Sequence, residues 1–507
     1  MYKIYWTDMH SNIHHEDIDK LPLWINQARE LFDFWPIAYY PYTMRLDETG
    51  LMVEDKYPDV DIQEDWEYVK KQVEQENSNG FSMFLGYEWQ GAGEDGDHNV
   101  FFKENDGKMI FPLRYQSLKE KLTNYDVIAI PHHLAYQLGH RGKNWSTHDD
   151  KFSPFVEIYS SHGSSENDFS NLPMLRHVHM GPRTDVTSVE MGLQNGNKFG
   201  VIASGDNHSC PGVFGFGLCA VLAKSSSKED IWDALINKRV YGVSKERINI
   251  DFSIDDTIMG SEVVGQKNSR LKLDVVASNT IDRVEIIKDN KVIDMISHIQ
   301  DDCNLSGKVK FKFQLELGWG PDRRIFPDIE SRNWSGKLIT DGEIKSIEKC
   351  WSNFGQTLNQ KSKHECEFNL TTFKTTASGK WMGPSAITTE GFIFEIEDDI
   401  NNSIMLEIDG IEYQIKIRDI LSGSKIIPLL DEVKELIKDR FNFTEYYRSD
   451  PWWHNCYKIK INKGATENEY KKNIDMVIDT SACSNVRIKT YQKNGSVAWS
   501  SPVFIKK

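Results

Sequence analysis

Residues 127–133, VIAIPHH, and residues 201–208, VIASGDNH, share one form: a short apolar run of strand type, followed at once by histidine or aspartate. The form returns in YWTDMH (5–10), FLGYEW (84–89) and VEIYSSHG (156–163). The apolar runs Tyr2 to Trp6, Phe34 to Tyr40, Phe81 to Tyr87, Val127 to Ile130, Phe155 to Tyr159 and Gly200 to Ala203 read as buried strands. Helix-like stretches Pro22–Phe32, Ile62–Glu76 and Lys228–Asn237 alternate with them, which predicts an α/β fold with a parallel sheet or barrel. In such a fold the loops after the strands converge on one face, so residues distant in sequence share one pocket.

Outward from this region the pattern changes. After about Arg247 the segments INIDFSI, SRLKLDVVAS, DRVEIIKDNKVIDMI and KVKFKFQLEL alternate apolar and polar residues between turn signals, as in an antiparallel β-sandwich. From about Trp319 strands mix with one amphipathic helix near Ile427–Asp439, and Asn494-Gly495 marks a hairpin. With 507 residues the chain exceeds one ordinary core. The expected division is 1–247, 248–318 and 319–507, the last two being one continuous β-rich region or two domains.

Charge and cysteine usage exclude several roles. A formal charge of −16 and no basic stripe argue against nucleic acid as a partner. Seven cysteines with no C-x-x-C pair suit reduced structural thiols. MYKIYWTDMH has no signal-peptide pattern, and no run of 18 apolar residues occurs, so the expectation is a cytoplasmic protein with no membrane partner. Homo-oligomerisation is left open.

The chemistry concentrates early, because 12 of the 15 histidines precede residue 210. Asp8, His10, Glu88, His98, His132, Asp206 and His208 offer the imidazole and carboxylate donors that suit Zn, Mn or Fe. Asp8-x-His10 and Asp206-x-His208 would each present both side chains on one side of an extended segment. The acidic residues Asp17, Asp19 and Glu94-Asp95-Gly96-Asp97 read as solvated loop charges. Trp6, Trp35, Trp89 and Trp145, and in the β-rich half Trp319, Trp334, Trp381, Trp452 and Trp453, read first as core residues and second as sugar-stacking platforms.

In order and spacing these residues resemble the polymerase-and-histidinol-phosphatase (PHP) superfamily of metal-dependent phosphoesterases, in a bacterial branch with β-rich C-terminal extensions. The family's opening H-x-H is matched by Asp8-Met9-His10, its bridging glutamate by Glu88, and its next histidine by His98 in GDHNVFF. Its I-x-H-P histidine is matched by His132 in AIPHH, and its closing D-x-H by Asp206-Asn207-His208. The resemblance covers roughly residues 1–247 and implies a distorted (β/α)7 barrel followed by antiparallel β-sandwich-like domains. It implies two or three divalent ions (Mn, Zn or Fe). Where the family's second motif carries a histidine, FDFWPIAYYPY offers Tyr39 and Tyr40, and His14, His15 and Glu16 stand as candidates for a further metal. Asp8 in place of a histidine favours a harder ion such as Mn or Fe.

On this reading two ions about 3.5–4 Å apart would activate a bridging hydroxide for in-line attack. His162 is the expected proton donor or substrate contact, His133 an orienting group for the leaving group or a core residue, and Arg141 with Lys143 an anion contact or a solvated loop. The expected activity is that of a phosphoesterase acting on a small, sugar-like substrate. The alternatives are hydrolysis of glycosidic, sulfate-ester or amide bonds, and non-catalytic binding of a glycan or partner around a structural metal.

Overall fold

The computed structural model describes residues 2–172, 174, 180, 182–297, 306–322, 325–373, 389–442 and 448–506. Trp381, His177, His179 and Cys303 lie outside the described residues. The chain forms two compact units: residues 1–276, 282–297 and 472–507 make the first, and residues 277–281 and 298–471 the second.

The first unit carries the strand-and-helix alternation. Asn12–His14, Ala38–Tyr40 and Met83–Trp89 run parallel side by side. Helices Leu21–Leu31 and Asp59–Ser78 lie between them in sequence. The next two strands reverse direction: His98–Phe102 is antiparallel to Met83–Trp89, and Val127–Pro131 is antiparallel to His98–Phe102. Phe155–Ser160 pairs in parallel with Gly200–Ala203. Lys3–Thr7 lies antiparallel to Leu218–Ala223, and that strand to Val240–Val243. Phe84, Phe101, Ile128, Phe155, Ile202 and Val221 meet in one buried cluster under these strands, each such side chain contributing about 1.5–3 kcal/mol on burial. Trp6, Trp35, Trp89 and Trp145 are buried as well.

The unit is completed from the far end of the chain. Val497–Ser500 pairs with Val240–Val243 and with Asn485–Gln492, the latter pair forming the hairpin marked by Asn494-Gly495. This differs from the division at 247 and 318 read from the sequence. The reason is physical: Val240–Val243 is four buried apolar or small residues, and its free edge is satisfied by a strand from about 250 residues downstream.

The second unit consists mainly of two antiparallel sheets. One contains Glu343–Cys350, Thr389–Asp399, Lys308–Trp319, Tyr457–Ile461 and Lys425–Pro428, with Ala465–Thr466 added at Lys308–Trp319. The other contains Thr357–Gln360, Glu365–Phe373, Ser331–Ile339, Ser403–Ile408 and Ile411–Lys416. Phe368 and Phe392 meet across the two sheets at 5.0 Å between ring centroids. The amphipathic helix spans Leu430–Phe441. Trp334 and Trp452 are buried, whereas Trp453 is exposed. Among the described residues no helix is long and apolar enough to cross a membrane.

Candidate metal centre

Strand register decides which side chains converge. Cross-strand partners in an antiparallel pair share a face, and successive residues alternate faces. Glu88 stands opposite Asn99, and Trp89 opposite His98. His98 therefore lies on the Trp89 face, away from Glu88, while Asp97 returns to the Glu88 side. His132 donates its backbone N–H to Asp97 O at 3.2 Å, which brings Asp97, His132 and Glu88 together.

Seven buried residues form three overlapping groups with metal-ligand spacing: His10, Glu88 and His132; Asp97, His132 and His133; His10, Glu157 and Asp206. His10 Nδ1 meets Glu157 Oε2 at 2.9 Å, and His10 Nε2 lies 3.4 Å from Glu88 Oε2 and 3.3 Å from Asp206 Oδ1. A carboxylate at one imidazole nitrogen fixes the ring and directs the other toward a metal. Glu157 stands at that nitrogen of His10, and Asn12 braces the other side by donating to Glu88 Oε2 at 2.9 Å.

The electrostatics follow from burial among like charges. Burial pushes His10 down, but the carboxylates of Asp206 and Glu157 outweigh it and hold the ring well above the usual imidazole range. Burial pushes Asp206 up against the opposing charge of His10, and Glu157, Glu88 and Asp97 push the same way. Asp97 is pushed by burial to about 7, although Arg141 pulls it down. His132 is held well below its usual range by burial and then by the neighbouring imidazoles. The backbone is also unusual, since His133, Arg141 and Asp206 all have positive φ (33°, 69° and 46°). Non-glycine residues adopt that region at a cost, and such positions gather at functional sites.

Several sequence-predicted residues take other work. Asp8 accepts hydrogen bonds from the backbone N–H groups of His10, Gly205 and Gly212 and from the Ser11 hydroxyl, so it pins the turn that carries Asp206 and belongs to none of the metal groups. His98 is likewise outside them; Lys143 Nζ lies 3.2 Å from its Nε2, and its Nδ1 meets Gly96 O at 2.9 Å. His208 and His14 find each other, Nδ1 to Nε2, at 2.6 Å. His15 bonds Asp65, and Glu16 lies 3.9 Å from His14. Neither joins the three groups.

His133 moves from an orienting role into the group with Asp97, 3.5 Å away. Arg141 is occupied by Asp97 at 2.7 Å and by Glu54. His162 stands at the edge of the cluster: its Nε2 is 3.1 Å from Asp206 Oδ2, and its Nδ1 is 2.7 Å from the Tyr136 hydroxyl.

The sequence reading passed over Glu157 and Asp97. Glu157 is the one charged residue in the strand FVEIYS, a signal that was present. Asp97 and Asp95 were expected in solvent but are buried; Asp95 accepts from Arg114 and from the N–H of Tyr115 at the start of a helix.

Whether these residues suit a divalent cation is tested by their unsatisfied atoms. Both ring nitrogens of His132, together with Asp97 Oδ1, His133 Nδ1 and Glu157 Oε1, are buried without a hydrogen-bond partner. Buried polar atoms are nearly always bonded. Four carboxylates, Glu88, Asp97, Glu157 and Asp206, gather with the imidazoles of His10, His132 and His133, the donor types that divalent transition ions take. The residues fit such an ion.

No family model matches the chain. It is 28% identical over 194 residues to an uncharacterized protein of Chlamydia pneumoniae, covering 35% of this chain and 30% of that protein. It is 27% identical over 164 residues to an uncharacterized protein of Chlamydia trachomatis, covering 30% and 26%. The chain thus spans less than a third of the length of the curated relatives it matches. Among solved structures, it is similar to a two-domain protein containing a predicted PHP-like metal-dependent phosphoesterase from Bacteroides vulgatus, at a TM-score of 0.32 and 10% identity, over 82% of this chain and 95% of that one.

Proposed function

We propose that the first unit is a metal-dependent hydrolase of the phosphoesterase type, acting on a small, sugar-like ester. The observation that carries this reading is His132, wholly buried, with both ring nitrogens unbonded among Glu88, Asp97, His10 and His133. His10, Glu88, His132, Asp97, His133 and Asp206 would hold the ions, with Glu157 orienting His10. Divalent ions bound there supply a Lewis acid and activated water.

The chain's own residues do the rest. Arg141 neutralises Asp97 and ties it to Glu54, which also accepts from Tyr40 and Gln90, so this wall of the site is fixed. The Tyr136 hydroxyl meets His162 Nδ1, which leaves Nε2 on the Asp206 side, where a proton on it could reach a departing oxygen.

The test is hydrolysis of p-nitrophenyl phosphate and bis-p-nitrophenyl phosphate by the full chain with added Mn. Turnover is expected to vanish with chelator and to fall at least about a hundredfold in Glu88→Gln, while His162→Asn should lose about 10²–10⁴-fold with metal retained. Absence of turnover under all metals tried would overturn the reading.

A further inference from the structure

Among the described residues Arg141, Lys143 and Arg183 differ in what neutralises them. Arg141 is bonded to Asp97 and Glu54. Lys143 is buried over the Tyr115 ring at 4.5 Å, and burial pushes its ammonium down to about 7. Arg183 is unlike both. Among the described residues no carboxylate lies within 4.0 Å of it.

Every hydrogen bond given for Arg183 goes to a neutral acceptor. Nε donates to Ala135 O at 3.3 Å, Nη1 to His162 O at 2.6 Å, and Nη2 to Ser165 Oγ at 2.5 Å. The guanidinium also lies 4.5 Å from the centre of the Tyr136 ring, whose hydroxyl holds His162 Nδ1. With the further side-chain hydrogen bond to Tyr136, these bonds use four of five N–H donors and leave one on a terminal nitrogen. Arg183 is half-buried, so its charge is partly desolvated yet open to solvent on one side. Buried cations are normally paired, because an unpaired one loses hydration with nothing in return. A guanidinium held by two carbonyls and two hydroxyls, with a donor to spare and only the longer-range attraction of Glu157 and Asp206, matches an incoming oxyanion.

We infer that Arg183 binds an oxyanion of the ligand, a phosphoryl or carboxylate group, beside His162. The inference rests on the hydrolase reading only for the identity of the neighbouring site. The sequence offers Arg141 with Lys143 as an anion contact or a solvated loop, whereas Arg183 donates to the His162 carbonyl.

Calorimetric titration of inorganic phosphate, and separately of acetate, into the Mn-loaded full chain tests it. Phosphate or acetate affinity should fall about tenfold or more in Arg183→Met, and less in Arg183→Lys, with metal content unchanged. The stronger of the two anions identifies the group. Affinity for both anions unchanged in Arg183→Met, with intact metal content, would overturn the inference.

A second measurement needs no variant. Phenylglyoxal should modify Arg183 of the wild-type chain and the preferred anion should protect it, while the paired Arg141 and Arg487 stay unmodified. Equal modification with and without either anion would contradict the assignment. Failure of the hydrolase reading shows separately, as absent ester turnover with Arg183-dependent anion binding intact.

Discussion

Two buried charged clusters in the first unit are built from the same kinds of residue and end in opposite states. Around Glu166 the charges pair: Arg487 Nη1 donates to Oε1 at 2.9 Å, Lys489 and the Trp499 indole donate to Oε2, and Arg487 Nη2 reaches Glu190 at 2.6 Å, with only Arg487 Nε left buried and unbonded. Two acids face two bases. Around His132, four carboxylates face the His10 ring, Arg141, which Glu54 shares, and at longer range Arg183, and ring and carboxylate atoms are left unbonded. The first cluster is self-neutral and belongs to the architecture, since it fastens the C-terminal strands to the segment that begins at His162. The second is acid-rich and suited to an ion. Depth of burial does not separate structural from functional charge here; stoichiometry does.

That contrast can be broken by mutation. Glu166→Ala should cost about 3–5 kcal/mol in urea unfolding of the full chain, because it leaves Lys489 and Arg487 buried with less compensation. Asp206→Asn should cost the metal-free chain no more than about 1 kcal/mol, since it removes one charge from a crowd of carboxylates, yet it should lower metal content. Equal destabilisation by the two substitutions would erase the distinction.

Acid sharpens it further. Burial would raise Glu166, but Lys489 and Arg487 outweigh this and hold it at about 2, below its ordinary 4.5. A depressed folded-state pKa contributes stability that is fully present above the unfolded value and lost as pH falls through the folded one. The loss should therefore run from about pH 4.5 down to about 2, amounting to about 3 kcal/mol. Glu166→Gln should flatten that limb of the stability curve, and an unchanged limb would deny Glu166 its role. The smallest effect is expected at His98. His98→Gln should leave metal content at the wild-type level and change stability by about 1 kcal/mol, because the register turns this ring away from Glu88.

Much of this was readable in the residues themselves. The strands Val127–Pro131, Phe155–Ser160 and Gly200–Ala203 stand where continuous apolar runs predicted them, and His10, Glu88, His132 and Asp206, at or near strand ends, lie in the groups that could hold an ion. What escaped depends on pairing. Asp97 and His98 exchange roles because the strand after Glu88 runs antiparallel, and a shift of one residue turns each side chain to the other face. Asp8 looked like a chelating partner of His10 until the turn at Gly205 and Gly212 claimed its oxygens. The junction of Val240–Val243 with Val497–Ser500 spans half the chain, beyond the reach of any local periodicity.

The central claim, that the cluster around His132 takes a divalent ion, is tested most directly by elemental analysis. The full chain would be stripped with chelator, reconstituted with Mn, Zn or Fe, and desalted. At least one tightly held ion per wild-type chain is predicted, with loss of it in the double variant His10→Ala, His132→Ala and retention in His98→Gln. A wild-type chain that is folded by circular dichroism and retains none of the three metals would contradict the account.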